Sequence, residues 1–519
     1  MKPLSHFAKS SLIIAIFFGI DKVVGFVRAL IINNQFGLSY ELDVFNAANN
    51  IPDLLSALIS GGALGVALIP VLSEYIQKRG RPAAWGLFAR IINLGFVVTA
   101  SFSVIIAVIA PWLISNVIAP GFPLEQQTLA AELMRLDLFA ILIFSISGLV
   151  MAGLQANQHF LLPALAPALY NVGQIFGATV LSPDTAYSLG PITLPAYGLG
   201  VHGLVYGVII GALLHLGIQI PALIKHEFVW QPKIELRSKG VQQVLKLLGP
   251  RVLTMFFIQM FFIVRDNLAS GMGEGSVTAL NLGWFIMQVP ETMLGTAVAI
   301  AMLPTISEIF ARGEFDHFRD TVNGAVRAIL SLTIPSAILL AIGLPPLVQT
   351  AFPGYTTAEV SLIVLITRIY LLGLTGHALL EISARSFYAQ KNAITPLFAA
   401  ALNATGYVIL AFWLSDRFGI GGIAFANTFA FTVEASILLW LLNRKFPGLL
   451  QVGTALRRVL LGGLSGAVVV YLIMQYAPIP LVIASLGGML LGLATAGLFI
   501  WPELKPLLQL GDNKIPSNH

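Results

Sequence analysis

Cysteine is absent from this 519-residue chain, and charged residues make up only 10% of it. Without a thiol the chain can form neither a disulfide nor a thiolate metal site, so its redox compartment stays open. A soluble domain has about 25% charged residues. The scarcity of charge, together with 57% hydrophobic residues, therefore indicates an integral membrane protein.

Catalytic and nucleotide-binding signatures are also missing. The chain has no GxxxxGK[ST] phosphate loop, no HExxH and no GxSxG. The loops between hydrophobic runs are too short to form a soluble catalytic domain. The net charge of +5 says little about nucleic acid in such a protein. We therefore predict a protein that is not an enzyme, with no cofactor, no metal site and no nucleic-acid partner.

Hydrophobic runs recur at about the 20 residues that a helix needs to cross the hydrocarbon. They do not alternate polar and apolar residues, as the strands of a membrane barrel would. The first run leads into Asp21 and Lys22 rather than a small-residue cleavage site, so we interpret it as a retained helix. Fourteen spans are predicted, at residues 10–34, 43–74, 84–116, 126–155, 160–182, 197–224, 241–268, 276–308, 320–345, 357–388, 393–414, 420–443, 455–476 and 479–501. Four prolines are expected to bend or break these helices: Pro52, Pro70, Pro290 and Pro304.

Basic residues concentrate in alternate loops. The loops that follow even-numbered spans contain Lys78, Arg79, Arg81, Lys225, Lys233, Arg237, Lys239, Arg312, Arg319, Lys391, Arg444 and Lys445. The loops that follow odd-numbered spans contain only Arg417. Because basic loops stay on the cytoplasmic side, this pattern predicts that both termini are cytoplasmic.

The two halves of the chain resemble each other. One set of residues, at a constant offset, is Arg135, Ala156 and Pro163 matching Arg368, Ala389 and Pro396. Three pairs of short segments also resemble each other, at other offsets: 68–74 with 302–308, 51–53 with 289–291, and 200–203 with 419–422. Six helices per half give a parallel repeat, and a substrate path usually lies between such halves. We predict an all-α polytopic membrane protein with about fourteen transmembrane helices. Two parallel six-helix lobes, residues 1–224 and 225–445, surround a central cavity, and residues 446–519 add two C-terminal helices and a short cytoplasmic tail.

The first span carries Asp21, Lys22 and Arg28. Ionisable groups at bilayer depth are expensive and usually face a cavity or a partner. One interpretation is a cationic lining that holds an anionic substrate, with Asp21 as the local counter-charge. The alternative is that Lys22 and Arg28 pair with carboxylates and only hold helices together.

The second span opens with Asp43, which either caps the helix or takes part in gating. The asparagines before Pro52, among them Asn49 and Asn50, indicate an opened helical turn lined with polar groups. A cavity wall and hydrogen bonding between helices remain open as alternatives.

Other polar residues interrupt later spans. Arg265 either extends to the membrane surface or contacts substrate. Glu381 and Arg385, four residues apart, are expected to form an ion pair. Glu291 and Glu434 are lone acids and candidates for a proton or cation site. Arg135, Asp137, Arg368 and His202 are interpreted as structural.

Several motifs in order resemble one family. They are Gly25-Phe26-Val27-Arg28, Gln35-Phe36-Gly37, Asp43-Val44-Phe45-Asn46-Ala47, Ile51-Pro52-Asp53-Leu54-Leu55 and Ile69-Pro70-Val71-Leu72-Ser73-Glu74-Tyr75. Together they are similar to the MurJ (MviN) lipid II flippases of the multidrug/oligosaccharidyl-lipid/polysaccharide exporter superfamily. The resemblance continues along essentially the whole chain.

This resemblance implies a multi-pass protein of the cytoplasmic (inner) membrane. It implies that two lobes around a cation-lined cavity move an undecaprenyl-pyrophosphate-linked peptidoglycan precursor outward by alternating access. Lys22 stands where the family usually has Arg, whereas Arg28 and Asp43 match cavity residues. The chain departs from the family at Ala29, at Ser56, where a basic residue is expected, and at Phe285, where Arg is expected.

The predicted site residues fall into two groups. The substrate-binding group is Lys22, Arg28, Asp43, Asn49, Asn50, Ser56 and Arg265. The gating or coupling group is Asp21, Pro52, Asp53, Pro290 and Glu291.

The expected partners are the lipid-linked glycan, membrane lipids and cell-wall synthesis proteins, and the expected state is a monomer. Coupling to the membrane potential or to a monovalent cation stays open. So do three alternative functions: a flippase for another lipid-linked oligosaccharide, a cation-coupled exporter of small molecules, and a scaffold of a wall-synthesis complex.

Overall fold

The structure, a computed structural model, describes residues 6–59, 63–189 and 192–510. Helices dominate because hydrocarbon offers no water to satisfy backbone N–H and C=O groups, and a helix satisfies them internally. Within these ranges the α-helices are α1 (His6–Phe36), α2 (Tyr40–Ile59), α3 (Ala63–Arg79), α4 (Arg81–Leu113), α5 (Leu124–Ala156), α6 (Leu161–Phe176), α7 (Gly200–Gly217), α8 (Ile220–Lys225), α9 (Lys239–Ala269), α10 (Ser276–Glu291), α11 (Ala297–Ala311), α12 (Phe315–Ala351), α13 (Thr357–Ala389), α14 (Ile394–Lys445), α15 (Gly453–Tyr476) and α16 (Leu481–Leu510).

Two smaller kinds of element complete the fold. Wider π-helical segments follow three of the helices, at Ile114–Ile118, Gly177–Leu181 and Thr292–Thr296. A short antiparallel hairpin, β1 (Tyr187–Leu189) and β2 (Ile192–Leu194), lies between α6 and α7 and pairs Ser188 with Thr193. This hairpin lies in a segment for which the sequence predicted no strand.

Eleven helices in the described part of the chain are long and apolar enough to cross a membrane. They coincide with twelve of the fourteen predicted spans, because α14 covers two of them. Within α14, Gly419 adopts φ 55° and ψ −139°, a backbone conformation that is essentially restricted to glycine. The all-helical membrane fold is confirmed, and the count of fourteen spans stays a prediction.

The prolines affect the second and eighth predicted spans differently. An opened turn was expected before Pro52, but α2 is helical from Tyr40 to Ile59. Pro52 removes only the hydrogen bond to the carbonyl one turn earlier, and Asn50 Nδ2 donates to the carbonyl of Ala47 at 3.2 Å in this region. In the eighth span, the π-helical segment Thr292–Thr296 follows Pro290.

The internal repeat is visible in the backbone. Helices α5 and α13 each contain 33 residues, and their bounds differ by one constant offset. The residues two positions beyond them, Gln158 and Lys391, share the same positive φ of 59°. Since non-glycine residues seldom adopt this conformation, the shared value indicates that the two halves turn alike.

Arg135 and Arg368 also play equivalent parts. Arg135 Nε donates to the carbonyl of Ala107 at 2.8 Å, and Arg368 Nε donates to the carbonyl of Ala341 at 2.8 Å. Each arginine satisfies a carbonyl on the preceding helix, a few residues before a proline of that helix. This contact supports the structural interpretation of both side chains.

The chain forms two compact units by its internal contacts, residues 1–277 (the N-unit) and 278–519 (the C-unit). In the N-unit, α9 packs against α2 and α3. Helices α6 and α7 approach closely through glycines, and a Cβ on Gly173 would overlap the backbone of Gly211. Small residues allow such close packing in membranes. The predicted lobe boundaries at 224/225 and 445/446 stay a prediction.

The last helix differs from its prediction. The final span was expected to end at residue 501 and to be followed by a polar tail, but α16 continues to Leu510. Glu503 is buried there, and its two carboxylate oxygens accept hydrogen bonds from Arg458 Nη1 at 2.8 Å and Arg327 Nε at 2.7 Å. These arginines lie on α15 and α12, so one carboxylate joins three helices of the C-unit.

We expect Glu503→Gln to lower the thermal stability of the purified protein. The amide leaves two arginines without their shared counter-charge, at a cost of about 1.5–3 kcal/mol for charge-assisted hydrogen bonds. The melting temperature in detergent checks this. Asp320→Asn, which removes an exposed partner of Arg319, is the control and should change it little. Equal melting temperatures for both variants would contradict the role of Glu503.

Candidate functional site

A polar cavity of about 420 Å³ lies inside the N-unit. Five helices contribute polar side chains to its wall, although most residues of these membrane spans are apolar. These side chains are Arg28 from α1, Asn46, Asn49, Asp53 and Ser56 from α2, Asp137 from α5, Tyr170 and Gln174 from α6, and His215 from α7. We refer to this space as the N-unit cavity.

Among the described residues, Arg28 is the one lysine or arginine that lines this cavity. Its guanidinium is half-buried and forms no hydrogen bond or close ion pair with any residue that the structure describes. Its positive charge acts on Asp53 across the cavity. A guanidinium left open to a polar cavity in this way is available to an anion.

Helix α2 supplies most of the polar wall. Its cavity residues follow one another at intervals of three or four positions, and that spacing places them on one face of a helix. The other face is apolar, and Ile51, Leu54 and Leu58 line a separate cavity of about 680 Å³ between α2, α4 and α9. Thus α2 separates a polar cavity from an apolar one.

Asp21 and Lys22 of α1 do not line the N-unit cavity. Asp21 Oδ1 accepts a hydrogen bond from Asn171 Nδ2 on α6 at 2.9 Å. Lys22 is exposed. This hydrogen bond joins α1 to α6, and the predicted coupling role of Asp21 stays a prediction.

Asn50 and Arg265 belong to another cluster, centred on Asp266. Asp266 accepts from Asn50 Nδ2 at 2.7 Å and from Arg265 Nε at 2.7 Å. The Arg265 side chain is only 6% exposed, and whether it contacts substrate or extends to the membrane surface stays a prediction. Asp43 is fully buried in the first turn of α2. None of these residues lines the N-unit cavity.

Two predicted residues lie in the C-unit. Pro290 and Glu291 end α10, and Glu291 Oε1 accepts a hydrogen bond from Thr296 Oγ1 at 3.0 Å in the π-helical segment that follows. The expected ion pair between Glu381 and Arg385 forms, at 2.5 Å. Glu434 accepts from Asn403 Nδ2 at 2.5 Å beside an apolar groove.

Four polar residues of the N-unit cavity are absent from the predicted site: Asp137, Tyr170, Gln174 and His215. Asp137 was grouped with Arg135 as structural. Residues two positions apart do not face each other on a helix, and Arg135 instead reaches Ala107. An acid alone on its face of an apolar span was the signal that could have identified Asp137.

Known proteins are similar to this chain over most of its length. A family model described as "Lipid II flippase MurJ" matches residues 32–490. The lipid II flippase MurJ of Burkholderia cenocepacia is 29% identical over 387 residues, which cover 73% of this chain and 72% of that protein. A probable lipid II flippase MurJ of Rhizobium tropici is 25% identical over 474 residues, covering 88% and 86%.

Solved structures show a similar fold. One described as "Lipid II flippase MurJ, inward closed conformation" has a TM-score of 0.79 at 24% identity and covers 96% of this chain and 100% of that chain. An inward-facing multidrug resistance MATE family transporter of the MOP superfamily has a TM-score of 0.67 at 14% identity, covering 84% and 96%. Because the family model matches residues 32–490, this chain belongs to the MurJ lipid II flippase family.

Proposed function

We propose that this chain is a flippase that moves lipid II, an undecaprenyl-pyrophosphate-linked peptidoglycan precursor, across the cytoplasmic membrane by alternating access. Membership of the family supports the cargo. The observation that carries the proposal is Arg28, whose guanidinium is open to a polar cavity among membrane helices.

A diphosphate fits such a site. Arginine offers a planar fork of N–H donors that matches phosphate oxygens, and hydrogen bonds between charged partners are the strong ones. On the same wall, Asn49 and Ser56 are half-buried and can hydrogen-bond sugar or phosphate oxygens. Lys22, exposed six residues before Arg28, adds a second cation on the same helix.

We also propose where the protein acts and what drives transport. The protein acts as a monomer in the inner membrane, with both termini in the cytoplasm, and works beside cell-wall synthesis proteins. It performs no catalysis and needs no cofactor. The driving force is the membrane potential or a monovalent cation, and Asp21, Pro52, Asp53, Pro290 and Glu291 take part in gating or coupling.

Arg28→Ala should reduce lipid II flipping in proteoliposomes by at least about tenfold, because charge-assisted hydrogen bonds contribute about 1.5–3 kcal/mol each. Arg28→Lys should retain part of the rate, since it keeps the charge but loses the fork. Arg312→Ala is the control, because it breaks only a surface ion pair with Glu308. A wild-type rate of flipping by Arg28→Ala would show that Arg28 does not bind the substrate.

Asp43→Ala should fail to rescue cells depleted of their own flippase. The buried carboxylate lies in the first turn of α2, where it complements the helix dipole and orients the helix that carries the cavity wall. Glu41→Ala is the matched control, because Glu41 occupies the same turn but is exposed. Full rescue by both variants would show that Asp43 is dispensable.

Native mass spectrometry of lipids that copurify with the protein tests the cargo. We expect the mass of lipid II. Ser56 and Phe285 replace residues that are basic in the family pattern, so another lipid-linked oligosaccharide is the competing outcome. Detection of that mass, without lipid II, would keep the flippase and change its substrate.

A further inference from the structure

The charges in the N-unit cavity do not balance. Two carboxylates, Asp53 and Asp137, share it with a single guanidinium, Arg28. The other titratable groups that face it are Tyr170 from α6 and His215 from α7. With both acids ionised, the cavity carries one negative charge too many for a site surrounded by membrane helices.

Asp137 is the carboxylate that Arg28 does not compensate. Its side chain is 3% exposed, and its Oδ1 has no hydrogen-bond partner among the described residues. Asp53, in contrast, is exposed to the cavity and interacts with the charge of Arg28. An isolated buried carboxylate costs far more than a paired one, so it either binds a proton or pairs with a cation.

Among the described residues, no other neighbouring side chain supplies that positive charge. Arg135, two residues before Asp137, is occupied with the carbonyl of Ala107 at 2.8 Å. His215 is buried, and its Nδ1 lies 2.6 Å from Ser147 Oγ. The edge of its ring packs against Phe144, with ring centroids 5.4 Å apart. These contacts hold His215 in the wall of the N-unit cavity.

The cavity also provides neutral oxygen atoms. Ser56, Asn46 and Asn49 present hydroxyl and amide oxygens from α2, and Gln174 presents an amide oxygen from α6. Hard cations prefer oxygen ligands of this kind. The set of donors therefore suits a proton held by one carboxyl or a small alkali ion held by several oxygens.

We propose that Asp137 and Asp53, with the oxygen atoms around them, form a site for one small monovalent cation, a proton or Na⁺. The cation neutralises the carboxylate that Arg28 leaves uncompensated. This site identifies where the coupling cation of the proposed function binds. Only the effect of the cation on transport rests on that proposed function. Binding itself is a property of the N-unit and is measured without lipid.

The shared guanidinium makes the cation and the cargo interdependent. If a diphosphate engages Arg28, Asp53 loses part of its counter-charge and both carboxylates favour a bound cation. Cation and anion then bind with positive coupling, and each raises the affinity for the other by the same factor.

The experiment measures thermal unfolding of the purified full-length protein in detergent. Acidic and mildly alkaline buffers are compared, each with NaCl or choline chloride at constant ionic strength. For a sodium site, Na⁺ raises the melting temperature at alkaline pH by about 2 °C or more, because a ligand of the native state stabilises it. For a proton site, the melting temperature falls by a similar amount as pH rises, with or without Na⁺, because the buried carboxyl loses its proton.

Asp137→Asn should abolish whichever response the wild-type protein shows, because the amide keeps the shape of the carboxyl and needs no cation. Glu132→Gln is the matched control on the same helix. Its carboxylate is 59% exposed and pairs with His202, so the response should persist. If Asp137→Asn does not fold, Asp53→Asn is used together with calorimetric titration of the wild-type protein with Na⁺ and with acid.

A wild-type protein that responds to neither cation would overturn the proposal, as would an Asp137→Asn variant that keeps the full response. Either result leaves lipid II flipping untouched. Conversely, loss of flipping in Arg28→Ala with an unchanged cation response would show that Arg28 serves only the cargo, and would contradict the coupling of cargo and cation through Arg28.

Discussion

An ionised side chain within a membrane protein needs a counter-charge or a polar cavity, because hydrocarbon solvates neither charges nor unpaired hydrogen-bonding groups. Much of this structure follows from that requirement. Glu503 is buried because arginines on two other helices share its charge. Arg265 is buried because Asp266 lies beside it. Arg28 has no such close partner in the described chain and instead faces a cavity lined by polar groups. The same rule that makes two of these clusters structural leaves the third open to ligands.

Helix α2 is central to the N-unit because its two faces meet different surroundings. One face carries the polar residues of the N-unit cavity, and the other lines an apolar cavity beside α4 and α9. A lipid-linked diphosphate has a charged group and a long hydrocarbon chain, so a helix of this kind suits a protein whose cargo is amphipathic. Pro52 removes one backbone hydrogen bond of this helix, and the position offers α2 a place to bend.

The repeat and most helix positions could be predicted, whereas the cavity could be predicted only in part. Helix positions follow from local hydrophobicity, and the repeat follows from matched residues such as Arg135 and Arg368, which make equivalent contacts. Arg28 and Asp53 were identified because a charge stands out in an apolar span. Asp137 stands out equally, but it was interpreted as structural together with Arg135, from which the helix geometry separates it.

The membrane class, the helical fold and the family motifs were determined by the sequence by itself, because each depends on composition or on residues close together in the chain. The tertiary structure alone decided which polar residues share one space. Arg28, Asp53, Asp137 and His215 are separated by as many as 187 positions in the chain, and no local pattern relates them. Whether a buried charge is compensated depends on such distant partners, so only the packed helices distinguish a structural ion pair from a binding site.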